Sequence, residues 1–166
     1  MRLGDVTRGA FTVSDNPGRL DPVAIHAYLV RSYWAEGIPL ELVRRSLAGS
    51  LSVGLYHQDR QIGLARIITD RATFAYLCDV YVLEEYRGQG LGKWLMETVM
   101  THPDLQGLRR FSLVTRTAQG LYSPLGFVPV ANPGNHMEIV RPGLYLKTDR
   151  RTDGQTDSGA TGDTVT

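Results

Sequence analysis

Apolar positions along the chain change period several times, and each change marks an element. Phe11-Thr12-Val13-Ser14 alternates and reads as a short strand. Asp21 before Pro22 has the form of an N-cap with proline at the first helical position. It predicts a helix from Pro22 to about Trp34, with Val23, Ala27, Val30 and Trp34 on one stripe. Gly37-Ile38-Pro39 breaks it, and a second helix runs from Pro39 to Leu47 with Leu40, Val43 and Leu47 at helical spacing. Leu51 to Tyr56 and Gln61 to Ile68 read as strands joined by the polar turn His57-Gln58-Asp59-Arg60. Phe74 to Val82 is nearly continuous in apolar residues, as expected of a strand covered on both faces. Leu91 to Met100 is helical, with Leu91, Trp94, Leu95 and Val99 facing inward, and His102-Pro103 ends it. Phe111 to Thr115 is a strand, and Ala118 to Leu125 is a short helix that Pro124 should end or distort. Phe127 to Val130 and Met137 to Val140 read as closing strands. This order predicts an α/β fold, with a mixed, mostly antiparallel sheet of about six to seven strands and helices on both faces.

The apolar periodicity stops near the C-terminus. Thr148 to Thr166 holds only Ala160 and Val165 as apolar residues and cannot offset its own ordering entropy. The chain therefore divides into a folded domain over residues 1–147 and a disordered polar tail over 148–166. A length of 166 residues fits one domain, and 42% apolar with 21% charged residues fits a globular core. The formal net charge is +1, without the basic excess of a nucleic-acid partner. No apolar run reaches the ~18 residues of a membrane span, and no signal-type segment follows Met1, so a cytoplasmic domain is expected. Cys78, the single cysteine, sits mid-strand without a histidine partner and reads as a buried structural thiol. His26, His57, His102 and His136 show no metal-ligand spacing and G-x-S-x-G is absent, so neither a metal site nor a serine hydrolase is expected.

The glycines change the picture. After Val80-Tyr81-Val82 comes Arg87-Gly88-Gln89-Gly90-Leu91-Gly92-Lys93, at the mouth of a predicted helix. Closely spaced glycines leave backbone N–H groups unshielded at a helix N-terminus, which attracts an anion, and Arg87 and Lys93 add charge. This predicts a phosphate or pyrophosphate site. The P-loop spacing is absent. The dinucleotide fingerprint fails because Lys93 stands where its third glycine belongs and no acid follows at the ribose position.

The spacing present is Arg-x-x-Gly-x-Gly at Arg87, Gly90 and Gly92, preceded by Asp79-Val80-Tyr81-Val82 and followed by Leu121-Tyr122-Ser123-Pro124-Leu125-Gly126-Phe127. Together these resemble the GNAT superfamily of N-acetyltransferases, over roughly residues 3 to 147 and most sharply from Phe74 to Phe127. The resemblance implies acetyl-CoA as cosubstrate and a primary amine of a small molecule or protein as acceptor. It implies that Arg87, Gly88, Gln89, Gly90, Leu91, Gly92 and Lys93 hold the pyrophosphate. Val80, Tyr81 and Val82 would then meet the cofactor along the strand, with Val80 and Val82 offering backbone groups. Thr115 stands where many relatives place an asparagine against the pantetheine arm.

Direct acetyl transfer needs a donor of a proton to the leaving thiolate and an acceptor of the ammonium proton. The family motif makes Tyr122 the candidate general acid. Asp79 is a carboxylate in an otherwise apolar strand, and so either a candidate base or a paired, hydrogen-bonded structural acid. Glu36, in the linker where relatives bind the acceptor, is a second candidate, and a water chain is a third. Tyr28, Tyr33, Trp34, Ile38-Pro39 and Glu36 would line the acceptor side, although the place of Trp34 on the apolar stripe favours the helix core for that residue. A non-catalytic acyl-CoA-binding module is the alternative function, and it has no need of Tyr122. An edge strand at Met137 to Val140 would suit a homodimer.

Overall fold

Strands form where β-branched and aromatic residues recur, and the computed structural model, which describes residues 1–146, joins six of them into one sheet. These are β1 (Asp5–Arg8), β2 (Phe11–Ser14), β3 (Leu51–His57), β4 (Arg60–Thr69), β5 (Phe74–Val82) and β6 (Arg110–Leu113), neighbours in that order. β1 to β5 pair antiparallel, and β5 with β6 is parallel. A parallel pair needs a crossover, here α3 (Leu91–Met100). The remaining helices are α1 (Pro22–Leu29), α2 (Leu40–Ala48) and α4 (Gln119–Tyr122). The expected tail over 148–166 lies outside the described residues.

Helices cover both faces of the sheet. Adjacent residues of a strand point to opposite sides. Val82 packs toward the cluster built on α3, with Leu91, Trp94, Leu95, Met96 and Val99. Its neighbour Tyr81 packs into the cluster of Ile25, Tyr28, Leu29 and Val43 from α1 and α2. Within β5 the faces exchange at one place: Ala75 and Leu77 join the α3 cluster before it, Val80 and Val82 after it. The cause is a bulge. Arg66 pairs with Cys78 and Leu64 with Tyr81, so Asp79 and Val80 oppose Ala65 alone. Asp79 takes the extra step in the left-handed region, at φ 50.

Several expectations are corrected. The first helix stops at Leu29, and its buried residues are Ile25, Tyr28 and Leu29, while Val23 is exposed. Apolar residues surround this short helix, so no stripe could select its face. β1 was not expected, because Val6 is the one apolar residue among its four and no alternation shows. Phe111 to Thr115 is strand only as far as Leu113. Ala118 to Leu125 is one turn of α-helix followed by a 3-10 turn at Ser123–Leu125 that contains Pro124, as its missing N–H requires. Phe127 to Val130 and Met137 to Val140 are not strands. Their apolar side chains find no sheet partner; Val128, Met137 and Ile139 are more than four-fifths exposed. β5 is covered on both faces only in part, because its second half lines a cleft.

Away from that cleft, buried His102 and Asp15 fasten the N-terminal segment to the end of α3. Nε2 of His102 lies 3.1 Å from Asp15, which also accepts from Leu3 N–H at 2.6 Å and Gly4 N–H at 3.1 Å. Burial alone would raise the Asp15 carboxyl, but those donors together hold it below its ordinary value. No described helix is long and apolar enough to cross a membrane.

Candidate active site

β5 and β6 pair only from Phe74 to Leu77 against Arg110 to Leu113. Beyond that point β5 runs on to Val82 while the other chain turns away. The divergence opens a cleft of about 640 Å³. Its floor is β5 from Tyr76 to Val82, its far wall the 113–118 segment and Tyr122, and its near wall Tyr28, Tyr33 and Trp34.

One end of the cleft meets the glycine loop. A 3-10 turn at Glu84–Tyr86 leads into Arg87, and Gly88 and Gly90 take φ values of 78 and 75, open to glycine without strain. Gly90 is the N-cap of α3, and no side chain caps it. Among the described residues, no backbone N–H from 88 to 93 donates to another protein group. These are the orphan donors of a helix start, gathered where a ligand can reach them. Leu91 is buried, so it offers only its backbone. A Cβ on Gly92 would sit 3.7 Å from Val82, so the helix start packs directly on the end of β5. The Arg87 guanidinium ties the loop down, donating to the Val82 carbonyl at 3.0 Å and the Tyr28 hydroxyl at 2.9 Å. Lys93 and Gln89 are exposed, and the Lys93 ammonium lies 3.8 Å from Glu97. Tyr81 stacks on Tyr28 with centroids 3.9 Å apart, so its ring belongs to the α1 core.

The other end is built from side chains. Tyr122 closes α4 and is 8% exposed, edge-on to Phe127. Its hydroxyl has no hydrogen bond to another described residue. Burial, and then the nearby Tyr33 phenol, raise it above the ordinary phenol value. Asp79, on the bulge, accepts from Arg66 Nε at 2.6 Å on one oxygen and from Trp34 Nε1 at 2.9 Å on the other. Arg66 also donates to Ser50 at 2.9 Å. Cys78 is half-buried and lines the cleft, not fully buried as expected; burial still pushes its thiol up to about 12, which keeps it protonated. Thr115 lines the cleft, and its hydroxyl accepts from Ala118 N–H at 3.0 Å. Among the described residues no group of histidine, cysteine and acidic side chains is arranged to hold a metal.

The cleft thus gathers Tyr28, Tyr33, Asp79, Val80, Tyr81, Val82, Arg87, Gly92, Thr115 and Tyr122. Gly88, Gln89, Gly90, Leu91 and Lys93 lie outside the lining, next to Arg87 and Gly92 at its loop end; Glu36 is exposed and outside it, and Ile38 packs in the α1 core. Trp34 is the correction: 40% exposed, it bonds Asp79 across the cleft instead of packing in a helix core. Arg66 and Arg116 were missed. Arg66 carried a signal, a lone cation in an apolar strand next to a strand with a lone carboxylate. Arg116 carried none, because only the fold brings it to Tyr33.

A profile of the acetyltransferase (GNAT) domain matches residues 49–129. A Gibberella zeae protein named as an inferred acetyltransferase is 34% identical over 139 residues, which cover 70% of this chain and 77% of that protein. A crystal structure of a GNAT-family protein from Xanthomonas campestris superposes with a TM-score of 0.79 at 51% identity, covering 81% of this chain and 96% of that one. A Clostridium acetobutylicum protein solved with acetyl-CoA gives 0.57 at 15% identity, over 78% of this chain and 94% of that one, a likeness of fold alone.

Proposed function

The chain belongs to the GNAT acetyltransferase superfamily, and from that premise we propose that it is an acetyl-CoA-dependent N-acetyltransferase acting on a primary amine by direct attack. The observation that carries this reading is the row of unpaired amides from 88 to 93 at one end of a cleft whose other end holds the unpartnered Tyr122 hydroxyl. The fold-level relative from Clostridium acetobutylicum was solved with acetyl-CoA, which supports the cofactor.

In this reading the amides of 88–93 take the pyrophosphate, helped by the α3 dipole. The β5 edge left free beyond Leu77 offers backbone groups at Val80 and Val82 to the pantetheine arm and the thioester oxygen. The acceptor nitrogen bonds to the acetyl carbon as the carbon–sulfur bond breaks. Tyr122 gives its proton to the departing thiolate, and its raised phenol is fully protonated at neutral pH to do so. Among the described residues Asp79 is the one carboxylate lining the cleft. Its oxygens already accept from Arg66 and Trp34, so it draws the ammonium proton through its remaining lone pairs, with water between.

Thiol release from acetyl-CoA across a panel of amines tests the reading, with Tyr122→Phe as control. Amine-dependent release that falls sharply in the variant is the expected result. Tight acetyl-CoA binding without release for any amine would favour the acyl-CoA-binding module, and neither binding nor release would end both readings.

A further inference from the structure

The charges at the acceptor end of the cleft do not cancel, and their imbalance bears on which amine is taken. Among the described residues the lining holds one carboxylate, Asp79, and two cations, Arg87 and Arg116. Arg87 is engaged at the loop, and Asp79 is neutralised by Arg66. Among the described residues no carboxylate lies within ion-pairing distance of Arg116. Its guanidinium instead lies 4.4 Å from the centre of the Tyr33 ring. Tyr33 stands edge-on to Trp34 at 5.0 Å, and Trp34 donates to Asp79. This run of contacts crosses the cleft from the segment after β6 to the bulge in β5. Stacking orients Arg116 and leaves its planar set of N–H donors for a ligand.

We infer that Arg116 reads an anionic group on the acceptor, so that the substrate is a small amine that also carries a carboxylate or a phosphate. This rests on the acetyltransferase reading above. A guanidinium matches either anion with two parallel hydrogen bonds. The aromatic walls suit the body of such a molecule. A polyamine is disfavoured, because its second ammonium would face Arg116 with no free carboxylate in the lining to offset it.

Matched pairs test the assignment: phenylalanine against phenethylamine, phosphoethanolamine against ethanolamine, and spermidine alone. Each is assayed by thiol release with wild type, Arg116→Gln and Arg116→Lys, with folding checked by circular dichroism. The anionic member of at least one pair is expected to lead in kcat/KM by about tenfold to a hundredfold. Arg116→Gln should abolish that lead through KM, and Arg116→Lys should keep part of it. The pair that responds tells carboxylate from phosphate. Parity within both pairs, a lead that survives in Arg116→Gln, or preference for spermidine overturns the assignment and leaves the acetyltransferase reading intact. No release with any amine from folded protein overturns both.

Discussion

The two ends of the cleft are made of different materials. The loop end is backbone: amides of 88–93 on a helix start, with two glycines at positive φ and one arginine holding the loop to β5. The acceptor end is side chain: Tyr33, Trp34, Asp79, Arg116 and Tyr122, brought together from separate elements. Backbone donors suit a ligand part that is always the same, because they read charge and not identity. Side chains can be exchanged one at a time, which suits the part of the reaction where acceptors differ.

That contrast predicts where substitutions act. Asp79→Ala should have the largest effect, lowering folding stability by about 3 kcal/mol, because it strands Arg66 without its partner in a mostly buried position. Urea denaturation measures it, and a loss below about 1 kcal/mol would mean that the pair does not hold the acceptor end together. Tyr122→Phe should reduce kcat about a hundredfold with little change in stability, since no described residue bonds its hydroxyl. The pH dependence follows from its sign. A phenol raised by folding is protonated throughout the neutral range, and any stability it confers is present below the unfolded value and lost as pH rises through the folded one. Wild-type kcat should therefore show no loss from Tyr122 below about pH 10.

Gly90→Ala should cost about 1 kcal/mol, from the left-handed backbone alone, since nothing lies within 4 Å of the added Cβ. Its larger consequence should be weaker acetyl-CoA binding by calorimetry, with turnover at saturation near wild type. A fall in turnover without weaker binding would blur the division between the two ends. Glu36→Gln should be the smallest, changing kcat/KM less than about twofold, because the carboxylate is exposed and outside the lining.

The same contrast explains what the sequence disclosed. The loop end is local: strand, glycines and helix follow one another, and β5 and α3 were read to the residue. The acceptor end is not. Trp34 looked like one more apolar residue of a helix, and its role depends on a bulge that no alternation pattern announces. Arg116 sits in a loop, and only the crossover through α3 sets it opposite Tyr33. The closing strands failed for a related reason. Phe127 to Val130 and Met137 to Val140 have strand-forming residues, but a strand also needs a partner edge, and these segments lie against none.

The central claim is that unpaired amides at the start of α3 hold the cofactor while the far end holds the chemistry. Titrating acetyl-CoA into ¹⁵N-labelled protein and following backbone amide resonances tests it directly. The amides of residues 88–93 should shift together and saturate with one dissociation constant, with Val80 and Val82 moving alongside. Saturable binding that leaves 88–93 in place would contradict the claim.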